Sequence, residues 1–134
     1  MLRHMLPALA IAALCPAPAT ADEVWNTERG EAYYSEEMQG FAIFRVPWGE
    51  DEATFYFEGL AGNYDHRSIH EGYWIVPGSG DCPAALVGID DAVSTDWGQV
   101  TLVFDRPSFP TGWTAIVTTC FNDDPLTIRA DLLD

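Results

Sequence analysis

The chain has 134 residues, of which 21 are acidic and six are basic, and its formal net charge at pH 7 is −15. All six basic residues are arginines. The absence of lysine excludes lysine nucleophiles, and the shortage of cations argues against nucleic acid as a partner, because phosphates are bound through clustered Lys and Arg. A basic protein or a cation would be attracted, and an acidic membrane surface would repel the chain.

The N-terminus has the order of a secretory signal peptide. Residues 1–4 carry positive charge, residues 5–14 are almost entirely apolar, and Ala19-Thr20-Ala21 matches a cleavage site. We therefore expect residues 1–21 to be a signal peptide and residues 22–134 to form a single β domain that is periplasmic or secreted.

Two membrane-bound alternatives are less favoured by the sequence. An apolar run of about ten residues is too short to span a bilayer, which argues against an uncleaved anchor. A lipid anchor on Cys15 would follow Leu14, where a small residue is usual. The product is expected not to be embedded in the membrane.

Short segments rich in β-branched and aromatic residues follow one another through the rest of the chain, each bounded by turn-forming residues. No segment has a convincing amphipathic helix pattern. We predict eight strands within residues 29–36, 41–46, 53–60, 72–76, 84–89, 97–105, 113–121 and 126–132. Residues 84–89 are the least regular, because Ala-Ala-Leu also suits the start of a helix.

This strand pattern predicts an all-β fold, a small antiparallel β-barrel of about eight short strands. A β-sandwich is the alternative. The barrel is favoured because closure removes exposed strand edges. The clearest hairpin joins residues 97–105 to 113–121, and Val100, Leu102 and Phe104 fall on one side of its first strand.

Two cysteines remain once residues 1–21 are removed. Cys82 lies in a turn-like segment and Cys120 at the end of a predicted strand. We predict a disulfide between them, which would stabilise the fold by about 4 kcal/mol by closing a loop of about 40 residues. A pair of free thiols is the alternative, and a redox site is disfavoured because no Cys-x-x-Cys motif is present.

A cluster of potential metal ligands comprises Asp65, His66, His70 and Glu71. The two histidines are four residues apart, so a helix or an extended strand would place both on one side, and imidazole with carboxylate suits zinc or copper. Arg67 would oppose a bound metal, and a solvated loop or a pH-sensitive role is the alternative. No cofactor is predicted.

Acidic turns and loop aromatics are the candidate binding features. Glu50-Asp51-Glu52 and Asp90-Asp91 are expected to form acidic loops, and Trp48 and Phe109 lie next to prolines where an aromatic ring can be exposed. The leading hypothesis is a non-enzymatic binding or inhibitory module that recognises a basic protein through these residues. The simpler interpretation of the charge is solubility alone.

Other functional classes have weaker support. An enzyme is not expected, because Ser79 lacks a Gly-x-Ser-x-Gly motif and the histidines lack a His-Glu-x-x-His motif. A calycin-like carrier of a small apolar ligand would need a barrel cavity. Its expected lining is Phe55, Phe57, Trp74 and Leu102. The sequence does not indicate an oligomeric state.

Overall fold

The computed structural model describes residues 23–60, 68–107, 111–120 and 124–133. These residues form ten strands and no helix, so none of them belongs to a helix able to cross a membrane. The strands are β1 (Val24–Thr27), β2 (Gly30–Met38), β3 (Phe41–Trp48), β4 (Asp51–Glu58), β5 (Ile69–Ile75), β6 (Leu86–Val87), β7 (Val93–Ser94), β8 (Trp97–Phe104), β9 (Trp113–Thr119) and β10 (Leu126–Leu132).

Eight of the strands close into an antiparallel barrel, which confirms the predicted fold. Around the barrel the order is β1-β10-β9-β8-β5-β4-β3-β2, and β6 and β7 form a separate two-stranded sheet. The predicted hairpin is β8–β9, in which Leu102 faces Ala115 across the ladder. Every pair of neighbouring strands in the barrel is antiparallel, so turns and loops suffice to connect them.

The prediction from the sequence assigned one barrel strand wrongly and missed another. Residues 84–89 do not form a barrel strand, since only Leu86–Val87 is extended, and it pairs with β7 outside the barrel. The remaining barrel strand is β1, which was not predicted. Trp25 in β1 pairs with Ala32 of β2 on one side and Leu132 of β10 on the other, and these ladders close the barrel.

The barrel interior is filled by aromatic and aliphatic side chains from alternate strand positions. Trp25 stacks on Phe44 with ring centroids 5.4 Å apart. Trp113 packs edge-on against both rings, at 5.5 Å from Trp25 and 6.1 Å from Phe44. Burial of each large side chain of this kind contributes about 1.5–3 kcal/mol.

The four residues expected to line a carrier cavity belong to this packed core. Phe55, Phe57, Trp74 and Leu102 are at most 3% exposed and lie in a single apolar cluster. Phe55 and Phe57 contact each other edge-to-face, with ring centroids 6.2 Å apart. Their side chains therefore occupy the part of the interior that a carrier would keep open.

A second apolar cluster lies on the outside of the barrel. Residues 76–96, which we call the strap, leave β5 and return to β8 after passing over the outer surface. Ile43, Tyr56 and Ile75 point outward from β3, β4 and β5, yet they are at most 1% exposed. Partly buried apolar side chains pack against them from the strap and the neighbouring strands: Met38, Phe41, Tyr73, Leu86, Ile89, Ala92 and Trp97.

A disulfide between Cys82 and Cys120 holds the strap to the end of β9, as predicted. The two Cα atoms are 5.8 Å apart, a usual separation for bonded cysteines. The bond links residues 38 positions apart in the sequence. Such a bond is compatible with an oxidising compartment.

Candidate binding surface at the acidic end of the barrel

One end of the barrel gathers carboxylates from two separate segments, and we call it the acidic end. The β3–β4 turn contributes Glu50, Asp51 and Glu52, all of them exposed. The turn is tight because Trp48 pairs with Asp51 and Gly49 adopts a φ of 66°, which glycine accepts without steric cost. The strap contributes Asp81 and Asp96.

Hydrogen bonds of the strap bring Asp81 and Asp96 together. The N–H of Cys82 donates to the carbonyl of Thr95 over 3.0 Å, which places Asp81 beside the residues that precede β8. The N–H of Val76 donates to the carbonyl of Asp96 over 3.0 Å, and the N–H of Asp96 donates to Ser94 Oγ over 2.8 Å. These contacts fix the backbone at Asp96 and at Cys82, the residue after Asp81.

The carboxylate of Asp96 is in an unfavourable environment. Its partial burial raises its pKa, and the negative charges of Asp81 and Asp51 raise it further. No arginine in the described ranges forms an ion pair with Asp51, Asp81 or Asp96. The repulsion among these three acids is therefore left uncompensated by the described part of the chain.

Three arginines are engaged by groups other than these three acids. Arg45 lies 4.0 Å from Glu36, and Arg129 forms a two-pronged contact with Asp105, with N–O distances of 2.6 and 2.7 Å. The hydrogen bond from Arg129 lowers the pKa of Asp105. Arg29 lies at the acidic end, but its guanidinium is placed 4.4 Å above the ring of Trp48.

Trp48 differs from its predicted position in an exposed loop. It is the last residue of β3, and the ladder with β4 continues through Pro47 to reach it. Its ring stacks on Trp74, with centroids 5.2 Å apart, and the guanidinium of Arg29 lies over it. Trp48 thus packs against the interior cluster at the acidic end and is only partly available to a partner.

Asp90 and Asp91 belong to the strap and not to the acidic end. The hydroxyl of Tyr56 donates to Asp90 Oδ1 over 2.8 Å, and the N–H of Ala92 donates to the same oxygen over 3.2 Å. Asp91 adopts a φ of 69° in the turn between β6 and β7. Tyr56 lies about 13 Å along β4 from Glu52. The two acidic segments are therefore separate, and Asp90 has a structural role.

The predicted metal ligands lie partly outside the described residues, as does Phe109. Nothing is described for Asp65 and His66. His70 lies on the inner side of β5, with its ring 6.1 Å from that of Phe104, whereas Glu71 is exposed on the outer side. His70 and Glu71 therefore face away from each other. Among the residues with described positions, no three His, Cys, Asp or Glu side chains are grouped to hold a metal ion.

The acidic end was predicted only in part. The run Glu50-Asp51-Glu52 is visible in the sequence as an acidic turn, but Asp81 and Asp96 are separated from it and from each other. Their proximity depends on the path of the strap, for which the sequence carries no signal.

Comparisons with known proteins add no relative. No family model, no curated protein sequence and no solved structure matches the chain.

Proposed function

We propose that this protein is an exported, non-enzymatic binding module that recognises a basic protein through the acidic end. The observation that carries the proposal is the gathering of Asp51, Asp81 and Asp96 at one end of the barrel, with no arginine in the described ranges paired to any of them. The direction in which the pKa of Asp96 is shifted, upward, agrees with this crowding. A lysine or arginine from a partner would relieve this repulsion. Binding would therefore gain more there than at a carboxylate that is already paired.

The fold supports this role by holding the acids on a rigid frame. Glu50, Asp51 and Glu52 are presented by the turn of a regular hairpin, and the disulfide and the hydrogen bonds of the strap hold Asp81 and Asp96. Little conformational entropy is then lost when a partner binds. The net charge of −15 would also accelerate encounter with a cationic protein at low salt.

The compartment proposed is the periplasm or the extracellular space. The predicted signal peptide and the disulfide Cys82–Cys120 both support export. Cationic secreted hydrolases are suitable partners, and the module would inhibit such an enzyme if the acidic end covered its active site.

The proposal is tested by measuring affinity for a panel of exported hydrolases with isoelectric points above about 9. We expect binding to at least one of them at low ionic strength. Affinity should weaken at high salt, because the Debye length is about 10 Å at 0.1 M and about 3 Å at 1 M. Absence of binding to every member of the panel at low salt would contradict the proposal.

A matched pair of variants separates a specific surface from general attraction. Glu50→Gln with Glu52→Gln removes two charges at the acidic end. Glu37→Gln with Glu58→Gln removes two exposed charges at the opposite end, beside the β2–β3 turn. We expect the first variant to bind about tenfold more weakly and the second to bind almost as the unmodified protein does. Equal losses in both variants would indicate attraction by net charge only.

A further inference from the structure

A groove on the outer surface of the barrel lies beside the strap and is lined by residues of β5 and β8 only. It lies between β5 and β8 and has a volume of about 420 Å³. Ligand pockets in proteins span about 300–1,000 Å³, so the groove is large enough for a small group. The residues that line it are Glu71, Gly72, Tyr73, Gln99, Val100 and Thr101.

The register of the two strands determines which side chains border the groove. Tyr73 pairs with Gln99, and Glu71 pairs with Thr101. All four face outward, since Val100 between Gln99 and Thr101 is buried in the interior cluster. Facing residues are about 5 Å apart and successive outward residues about 7 Å apart. Four side chains thus border a space suited to a single extended side chain.

The chemistry of the border favours a cation that donates several hydrogen bonds. Glu71 is exposed, and its carboxylate forms no ion pair with any arginine in the described ranges. The carboxylate, the amide carbonyl of Gln99 and the hydroxyl of Thr101 are all acceptors. A guanidinium has five N–H donors and no acceptor, which matches such a border better than an ammonium does.

Tyr73 adds an aromatic wall that is held in place. One face of its ring stacks on Tyr56 at a centroid distance of 4.5 Å, and the ring of Phe41 lies edge-on at 6.4 Å. Its hydroxyl accepts a hydrogen bond from the N–H of Ile89 over 3.3 Å. A fixed ring beside a carboxylate suits the aliphatic stem and the planar head of an arginine side chain.

We propose that this groove binds one arginine side chain of a partner protein, with the carboxylate of Glu71 pairing with its guanidinium. The inference rests on the proposed function, because it takes the ligand to be a residue of the basic protein that the acidic end attracts. Gln99 lies about 7 Å along β8 from Trp97, where the strap rejoins the barrel near Asp96. One partner can therefore contact the acidic end and the groove together.

The test is an NMR titration of the whole protein with a capped Gly-Arg-Gly peptide and with the same peptide containing citrulline, the neutral isostere of arginine. We expect amide shifts at Gly72, Gln99 and Thr101 with a dissociation constant of about 1 mM for the arginine peptide. The citrulline peptide should bind at least about fivefold more weakly. Equal binding of the two peptides, as a site for neutral polar ligands would give, would overturn the inference.

Two variants and one control make the site assignment specific. Glu71→Gln should weaken binding of the arginine peptide about fivefold to tenfold. Thr101→Phe should abolish the shifts by filling the groove while keeping a residue that strands accept. Glu37→Gln removes an exposed charge from β2, three strands away from β5, and should change nothing. Unchanged affinity in Glu71→Gln, or shifts confined to the acidic end, would overturn the groove as the site.

The outcome separates the two proposals. In one outcome, the variant Glu50→Gln with Glu52→Gln binds a basic hydrolase more weakly and Glu71→Gln binds it unchanged. This outcome would refute the groove as an arginine site and leave the proposed function supported. Arginine-dependent shifts in the groove without binding to any basic hydrolase would support the groove and contradict the proposed function.

Discussion

The indole N–H of Trp74 donates a hydrogen bond to the carbonyl oxygen of Thr118 over 2.8 Å, across the intervening strand β8. The contact is possible because Gly98, which pairs with Trp74 on one side and Thr119 on the other, has no side chain. A Cβ atom at Gly98 would lie 2.7 Å from Trp74 Nε1 and would overlap the carbonyl oxygen of Thr118. The hydrogen bond therefore ties three adjacent strands together near the acidic end.

Replacing Gly98 by alanine is expected to destabilise the protein strongly. The added methyl group meets backbone atoms, which cannot move as the end of a flexible side chain can, so the loss should be about 3 kcal/mol or more in the free energy of unfolding. Denaturant unfolding measures it. The neighbouring substitution Gln99→Ala is the control, because Gln99 is exposed, and its effect should stay within about 0.5 kcal/mol. A Gly98→Ala protein as stable as this control would contradict the expected clash.

Asp96→Asn should stabilise the protein at neutral pH. Burial and the charges of Asp81 and Asp51 raise the pKa of Asp96 in the folded state, so its ionised form costs stability. That cost is present above the raised folded pKa and disappears as pH falls below about 4, where the carboxyl is protonated in both states. Denaturant unfolding should therefore show a higher free energy of unfolding for Asp96→Asn than for the unmodified protein at pH 7. At pH 3 the two free energies should be almost equal.

Asp81→Asn serves as the companion measurement for this pH dependence. Removing its charge should also stabilise the folded protein at pH 7, by lowering the pKa of Asp96 toward its usual value. Asp131→Asn is a suitable contrast, since Asp131 contacts Arg129 at 3.0 Å and its loss should not stabilise. A destabilised Asp96→Asn protein at pH 7 would show that the three acids do not repel one another.

The hydrogen bond between Tyr56 and Asp90 should contribute measurably to the attachment of the strap. Tyr56→Phe keeps the ring that stacks on Tyr73 but leaves the Asp90 carboxylate without its hydroxyl donor, and we expect a loss of about 1–2 kcal/mol. A double-mutant cycle with Asp90→Asn isolates the pair. A coupling energy of zero would mean that the strap is held by apolar contact alone.

Loss of the disulfide should destabilise the strap before the barrel. Cys82→Ser with Cys120→Ser is expected to cost about 4 kcal/mol in the chain-entropy model. Hydrogen exchange of the N–H groups of Cys82 and Gly88, whose acceptors lie within the strap, should accelerate more than that of the β8–β9 ladder. Uniform acceleration in both regions would show that strap and barrel unfold as one unit.

The barrel could be predicted well because most of its strands have local sequence patterns typical of β-strands. The alternation of Val100, Leu102 and Phe104 and the turns rich in glycine and proline are local signals, and the two cysteines outside the predicted signal peptide leave a single possible pairing. Strand β1 was missed because four residues are too few to show a period. Residues 84–89 were assigned to the barrel because they are apolar, whereas Leu86 and Ile89 cover the outer cluster.

The candidate binding surface was less predictable than the fold. The Glu50-Asp51-Glu52 turn is local and was identified, but the approach of Asp81 and Asp96 depends on long-range contacts such as that between Cys82 and Thr95. Tyr73 and Gln99 likewise become neighbours only through the register of β5 with β8. Pairings of this kind are set by the whole fold and leave no trace in spacing along the chain.

The strap also changes what kind of sheet its neighbouring strands form. Residues Ala53–Phe57 of β4 are buried at every position, because their inner side chains face the barrel core and their outer ones face the strap. This part of β4 thus lies between two apolar layers, the barrel core and the strap. Without the strap its outer side chains would be exposed to water. If the strap detached, Ile43, Tyr56 and Ile75 would form an exposed apolar surface. The barrel itself would still be closed. By holding the strap to the end of β9, the cross-link between Cys82 and Cys120 therefore helps to keep this apolar surface covered.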